Sequence, residues 1–294
     1  MKKIGIIMAF IAAFLWGISG SLAEYIFSNS NFNVNTYTSL RMFLTGLILL
    51  TYGIYSKGPK GFYDILSSKK YLKRIIIYGL LGIALLQYSF AQTINYSNAA
   101  LATLMQYFTP TIVLIYLSIK TKIIPSNKKV FLVIVALYGM FLMITNGSIT
   151  NLNVSPLSLI YGLIAAFAFA FYILYITKFK KIDNTIVIGC GMIIGSLIFI
   201  PFIDFSNFKE LLNINVFIAF MSNVILGNAI PFYLFLESTK YIQPTTTSLL
   251  GAIEPIVSII IGMIFLGTVL TIIQLIGAVL LIGSITIISI FEDI

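Results

Sequence analysis

Ten apolar stretches of about 20 residues each occupy nearly all of this chain. A bilayer core of about 30 Å is crossed by a helix of about that length. A soluble fold has no use for ten such runs, with 59% of all residues hydrophobic and 9% charged. The spans fall at 4–27, 34–55, 73–94, 98–119, 129–146, 156–177, 184–203, 214–236, 244–266 and 271–290. The predicted fold class is therefore an all-α integral membrane protein with ten transmembrane helices.

The joints between these spans alternate in charge. With a cytoplasmic N-terminus, that side holds Lys2, Lys3, Lys57, Lys60, Lys69, Lys70, Lys73, Arg74, Lys120, Lys122, Lys128, Lys129, Lys178, Lys180, Lys181 and Lys240, which is 16 of the 18 basic residues. Lys209 is placed in an outer loop and Arg41 inside a span. Basic residues are retained on the cytoplasmic face during insertion, so the pattern fixes orientation. An even number of spans then returns the C-terminus, with Glu292 and Asp293, to the cytoplasm. The net charge of +9 is thus a topology signature, with contact to anionic headgroups as a consequence. It does not indicate nucleic-acid binding, because the charges sit on short scattered joints. Lys2-Lys3 before an apolar run mimics a signal peptide; its length, and the charge pattern downstream, favour a retained span. Cys190 is the single cysteine, within the seventh span, so no intrachain disulfide exists.

The chain repeats itself. Residues 96–110, from Tyr96 to Pro110, align with Tyr241 to Pro255 at an offset of 145, and Tyr88–Thr93 aligns with Tyr233–Ser238. Ile11–Phe14 matches Ile164–Phe167 more loosely, at 153. The expected domains are residues 1–147 and 148–294, five spans each. Five is odd, so the second copy enters the membrane from the opposite side. Inverted repeats of this kind underlie many secondary transporters, which exchange conformations around a midplane site.

The chain resembles an EamA-type member of the drug/metabolite transporter superfamily. The resemblance rests on Trp16-Gly17 in the first span, Arg41 in the second, and the small-residue runs leading to Pro110 and Pro255. It implies ten helices in two inverted five-helix repeats around a central cavity, in the cell membrane. The second repeat departs from the pattern, with Phe169-Ala170 in place of Trp-Gly and no arginine matching Arg41.

Ionisable groups inside a membrane cost at least about 3 kcal/mol on insertion scales, so each one calls for a role. Glu24 and Arg41 lie at similar depth near the outer opening and are expected to pair; Glu24 facing a vestibule is the other reading. Gly17, Gly20, Ser21 and Glu24 share a helix face, which serves either close packing or the vestibule. Glu254 comes ten residues into its span, about 15 Å deep. Pro255 follows it and is expected to kink the helix beside the acid, freeing a backbone carbonyl near Gly251, with Pro110 the kink of the first half. That combination makes Glu254 the candidate substrate anchor, or a proton carrier, and the alternative is a carboxyl bonded to a neighbouring helix.

Other candidates are softer. Trp16, Tyr88, Tyr107, Tyr172, Tyr175 and Tyr233 are expected nearest the cavity, where aromatic walls suit cationic ligands. Gln87, Gln106 and Asn228 either line it or bridge helices. Tyr88, Gln92 and Asn95 share one face, as do Tyr233, Glu237 and Lys240, and form either alternating gates or interfacial anchors. The chain has no histidine, hence no Ser-His-Asp triad and no common metal ligand, and no glycine-rich phosphate loop follows a strand. No enzyme, cofactor or metal is expected. The reading is a secondary transporter of a small amine-bearing metabolite, such as an amino acid, with export implied by the resemblance. A lipid-headgroup translocase and a passive channel are the alternatives. Coupling to protons and oligomeric state stay open.

Overall fold

A computed structural model describes residues 2–122, 125–147, 154–179, 181–238, 240–242 and 250–291, with side chains to 287. Among the described residues the regular structure is helical. Seven helices are long and apolar enough to cross a membrane: α1 (Lys2–Asn29), α2 (Val34–Lys57), α4 (Lys69–Tyr96), α5 (Ala99–Thr121), α6 (Asn127–Thr145), α7 (Pro156–Phe179) and α9 (Ile214–Ser238). Three further apolar helices are α8 (Asn184–Leu197), α10 (Ile253–Phe265) and α11 (Ile272–Phe291), the last with side chains described to Ile287. A small amphipathic helix, α3 (Lys60–Ser67), occupies the linker after Gly58-Pro59.

The helix limits follow from local chemistry. The side chains of Asn33, Asn98, Ser126, Asp183 and Asn213 accept backbone N–H bonds at the starts of α2, α5, α6, α8 and α9. Lys122 and Asn146 adopt left-handed backbone just past α5 and α6, ending them. The seventh predicted stretch, 184–203, is helical only to Leu197, because Pro201 lies in a separate 3₁₀ turn, Ile200–Phe202. Fourteen residues at about 1.5 Å each reach only about 21 Å. The start of the predicted 244–266 stretch lies partly outside the described residues, as do Lys180 and the chain ends.

The packing has a regular logic. α2 lies along α8 and α6 along α11; α1 contacts α9 and α10, and α7 contacts α4 and α5. Replacing each helix by its counterpart 145–153 residues away leaves this pattern unchanged. Glycines permit the closest approaches. A Cβ on Gly46 would stand 2.9 Å from the Gly189 carbonyl oxygen, and one on Gly139 would stand 2.7 Å from that of Gly277. Small residues let helices approach this closely without side-chain bulk between them.

Polar contacts sort the helix ends into two sets. In one, Arg74 donates to the Lys178 carbonyl, and Gly5 abuts Tyr241 and Ile242. In the other, the Asn33 amide donates to Asn207, that of Asp204 to Thr36, and Thr271 donates to Asn146. The charge pattern divides the joints the same way.

Both halves carry the same irregularities. A π-helical turn interrupts α4 at Tyr78–Ala84, and another interrupts α9 at Ile225–Ala229. Shifted by 145 residues the two overlap, Gly82 falling on Gly227. A π turn inserts one extra residue and re-aims the side chains around it. The proline breaks also correspond. α5 opens at Tyr107-Phe108 and resumes at Thr109, and α10 begins at Ile253, with Ala252 outside the helix. A proline within the first three positions of a restarted segment needs no N–H partner, so each chain breaks there instead of bending through.

Candidate substrate cavity

A cavity of about 60 Å³ lies between these irregular segments. It is lined by Trp16, Ser19, Arg41, Leu86, Gln87, Phe90, Gln106, Phe169, Gly227, Asn228, Phe232 and Glu254. A single water takes about 10–15 Å³ on this measure, so roughly four to six waters fit, or a ligand of a few non-hydrogen atoms. Three of the four irregularities contribute, and the π turn of α4 ends just before the lining residues Leu86 and Gln87. The π turn of α9 supplies Gly227 and Asn228; the two proline breaks supply Gln106 and Glu254. Trp16 and Phe169, matching positions of the two halves, both reach it.

One wall is a connected polar network. Arg41, 2% exposed, donates to the Tyr37 hydroxyl at 3.1 Å, to Asn223 Oδ1 at 3.2 Å and to Gln87 Oε1. Gln87 Nε2 donates to Asn228 Oδ1 at 3.4 Å, and Asn228 Nδ2 donates to the Asn223 carbonyl at 3.0 Å. Asn223 Nδ2 in turn donates to the Ser19 carbonyl at 2.6 Å, and Ser19 Oγ donates back to Asn223 Oδ1 at 3.4 Å. Helices α1, α2, α4 and α9 are thus tied through side-chain amides. Among the described residues every acceptor offered to Arg41 is neutral, and its Nε has no partner.

Glu254 faces the same space and makes no hydrogen bond or ion pair among the described residues. Its counterpart at the first break, Thr109, is bonded instead, to the carbonyls of Gln106 at 2.7 Å and Ala166 at 3.1 Å. The break belongs to both halves and the carboxyl to one. The Glu254 carbonyl oxygen would stand 2.7 Å from a Cβ on Gly17, so the glycine of the Trp16-Gly17 pair lets α1 pass α10 at backbone distance.

Several expectations are corrected by this geometry. Glu24 and Arg41 do not pair. Glu24 Oε2 accepts from the Ala99 amide at 2.8 Å, and Oε1 accepts from the Thr268 hydroxyl at 3.4 Å. The first N–H of α5 is a positive helix end and satisfies the acid without a cation. Arg41 is left to the cavity wall. The stripe of Gly17 and Gly20 packs α1 against Val257, Ser258 and Ala99 instead of forming a vestibule.

Five of the six expected wall aromatics lie elsewhere. Tyr88 accepts from Gln92 at 2.7 Å and packs on Tyr161 and Phe199. Tyr233 meets Tyr52 edge-on at 4.8 Å. Tyr107 shares a hydrogen bond with Thr286 at 3.3 Å, joining α5 to α11. Tyr172 stacks on Tyr78 at 5.3 Å, and Tyr175 lies under the Lys178 ammonium at 4.0 Å. Side chains that alternate round a helix cannot all face one small cavity: Gln87 and Phe232 take the cavity face, and Tyr88 and Tyr233, one residue on, are turned about 100° from it. Asn95 is exposed. Glu237 and Lys240 form an ion pair, and that bond holds the Lys240 ammonium above its ordinary pKa.

Asn223 was not singled out from sequence, nor were Ser19, Phe90 and Phe232. A signal existed for Asn223: it is an amide side chain inside the apolar run 214–236, as Asn228 is.

An all-helical chain with several membrane-length helices around a polar cavity defines a multi-pass membrane protein of the transporter class. The EamA-like transporter family model matches residues 3–145 and again 156–290, and the chain belongs to that family. It is 32% identical over 286 residues to the "Uncharacterized inner membrane transporter YicL" of Salmonella typhimurium, covering 97% of this chain and 95% of that protein. An "Uncharacterized transporter" of Archaeoglobus fulgidus is 24% identical over 213 residues, or 71% of this chain and 75% of that one. A solved crystal structure shares the fold at a TM-score of 0.65 with 13% identity, over 100% of this chain and 99% of that chain. The family and these relatives are named as transporters, not enzymes.

Proposed function

We propose that this chain is a ten-span secondary transporter of the cell membrane that moves a small amine-bearing metabolite by alternating access. Residues 1–147 and 148–294 are its two inverted repeats, with both termini cytoplasmic and export as the working direction. The observation that carries the reading is the Glu254 carboxyl, without a hydrogen bond or ion pair among the described residues, facing a cavity built from irregular segments of both halves. An acid left without a protein partner at membrane depth is costly unless a ligand or proton meets it. The matched π turns and proline breaks support two states of similar energy, because each half carries the same weak points in its helices. Gln106, Asn228 and Trp16 complete the wall around the acid. A lipid-headgroup translocase is a poorer fit to a cavity of about 60 Å³.

The test is a thermal-shift screen of purified protein with amino acids, polyamines and nucleosides, then counterflow in proteoliposomes with whichever compound stabilises it. Glu254→Gln is expected to abolish or re-specify uptake while the protein elutes as a single folded species. Unchanged uptake kinetics in that variant would remove Glu254 from the site.

A further inference from the structure

A hydroxyl in an apolar helix commonly bonds back to the carbonyl four residues earlier. Thr93, Ser118 and Thr145 do so here. Ser21 and Ser258 do not. Ser258 is fully buried and Ser21 is 4% exposed, yet neither hydroxyl has a partner among the described residues. A buried polar atom in that condition marks a place for a water or an ion. Both lie on one seam. Ser21 and Glu24 are three residues apart on the same face of α1. From α10, Ser258 Oγ is aimed at that stretch, since it would stand 3.8 Å from a Cβ on Gly20. The same Cβ would stand 3.1 Å from Ala99 Cβ, and the Ala99 amide donates to Glu24 Oε2 at 2.8 Å. One turn beyond Ser258, a Cβ on Gly262 would stand 3.2 Å from Thr268 Oγ1, which donates to Glu24 Oε1 at 3.4 Å.

We infer that this seam binds a small alkali-metal cation, held by the Glu24 carboxylate and the hydroxyl oxygens of Ser21, Ser258 and Thr268. The donor set fits that ion. All four groups offer hard oxygen atoms, and a single carboxylate balances a single positive charge, whereas calcium sites recruit several acids. Glu24 makes no ion pair among the described residues. A hydroxyl that gives a lone pair to a cation can turn its proton to the carbonyl one turn back, Gly17 for Ser21 and Glu254 for Ser258. One bound ion therefore satisfies both orphan hydroxyls. The Ala99 amide and Thr268 hold Glu24 without a cation, so the site survives emptying, as a reversible ion site must. It also joins the two halves, with α1 from one and α10 from the other, and Ser258 stands one turn from Glu254. Use of the ion in coupling rests on the transporter reading above; the site itself does not.

The experiment follows thermal unfolding of the detergent-purified full chain in sodium chloride against choline chloride at equal ionic strength. Wild type is expected to melt about 3 °C higher or more at roughly ten times the half-saturating sodium concentration. Ser21→Ala and Ser258→Ala each remove a buried hydroxyl that has no protein partner, so in choline both are expected to melt at or above wild type. In sodium each is expected to lose most of the rise, with half-saturation moved up about tenfold or more. These two variants carry the test even where Glu24→Gln fails to fold. Equal melting of wild type in sodium and choline, the result expected of a water alone in the seam, overturns the site. A sodium rise that both alanine variants keep in full puts the ion elsewhere and overturns it too. No transported compound enters these measurements, so their failure leaves the transporter reading and the place of Glu254 standing.

Discussion

Removing Asn223 is the perturbation whose consequence follows most directly from the bonds around the cavity. Its Oδ1 accepts from Arg41, Ser19 and Asn228, and its Nδ2 donates to the Ser19 carbonyl. Asn223→Leu keeps similar bulk and strips all of these. Ser19 Oγ and one Arg41 nitrogen position lose an acceptor, whereas Asn228 retains the Asn223 backbone carbonyl. Each buried donor left unsatisfied costs about 1–3 kcal/mol. Two of them, one charged, give about 2–6 kcal/mol, which corresponds to a melting temperature lower by roughly 4–12 °C at this chain length. Asn223→Asp keeps the acceptors, loses one donated bond of about 1 kcal/mol, and gives Arg41 an anionic partner. The expected order of stability is wild type and Asn223→Asp close together, with Asn223→Leu well below. Thermal unfolding in one detergent, followed by intrinsic fluorescence, reads that order. Asn223→Leu melting within a degree of wild type would refute the network as a holder of Arg41.

Other expectations are equally direct. Gly139→Leu or Gly277→Leu would put a Cβ 2.6–2.7 Å from the facing carbonyl oxygen and should cost about 1–3 kcal/mol or more, seen as lower melting temperature and lower yield of monodisperse protein. Glu24→Gln and Arg41→Gln should be additive in a double-mutant cycle, with a coupling below about 0.5 kcal/mol, because the two residues share no partner; a large favourable coupling would restore the pairing expected from sequence. Glu237→Gln should change stability by less than about 1 kcal/mol, since the Lys240 end of that ion pair is 48% exposed; a larger loss in thermal unfolding would mean the pair latches one face shut.

Helices were legible because the physics that fixes them is local: about 20 apolar residues, a cap, a charged joint. α2, α4 and α6 start and stop within a few residues of the apolar runs that encode them. α8 was not, since whether a helix continues into Phe199-Ile200-Pro201 depends on how its last turn is satisfied. At the cavity, Glu254, Trp16, Gln106 and Asn228 were accessible from composition alone, being polar or amphipathic groups at membrane depth. Tyr88 and Tyr233 were misassigned because their neighbours Gln87 and Phe232 take the cavity face, and one step along a helix turns a side chain by about 100°. The Glu24–Arg41 pairing failed for a different reason. Matching depth does not specify a partner when a helix N-terminus competes for the carboxylate.

Cysteine accessibility at the cavity wall tests the central claim most directly. In a Cys190→Ser background, with no other thiol in the chain, Ser19→Cys and Asn228→Cys are each treated with a membrane-impermeant thiol reagent from either side of sealed vesicles. Both are expected to react from both sides and to be protected by a bound amino acid, while Phe14→Cys and Ile260→Cys, on outward helix faces, stay unlabelled. Labelling of the outward positions at the same rate, or no labelling at 19 and 228 from either side, would contradict a water-filled site that opens alternately.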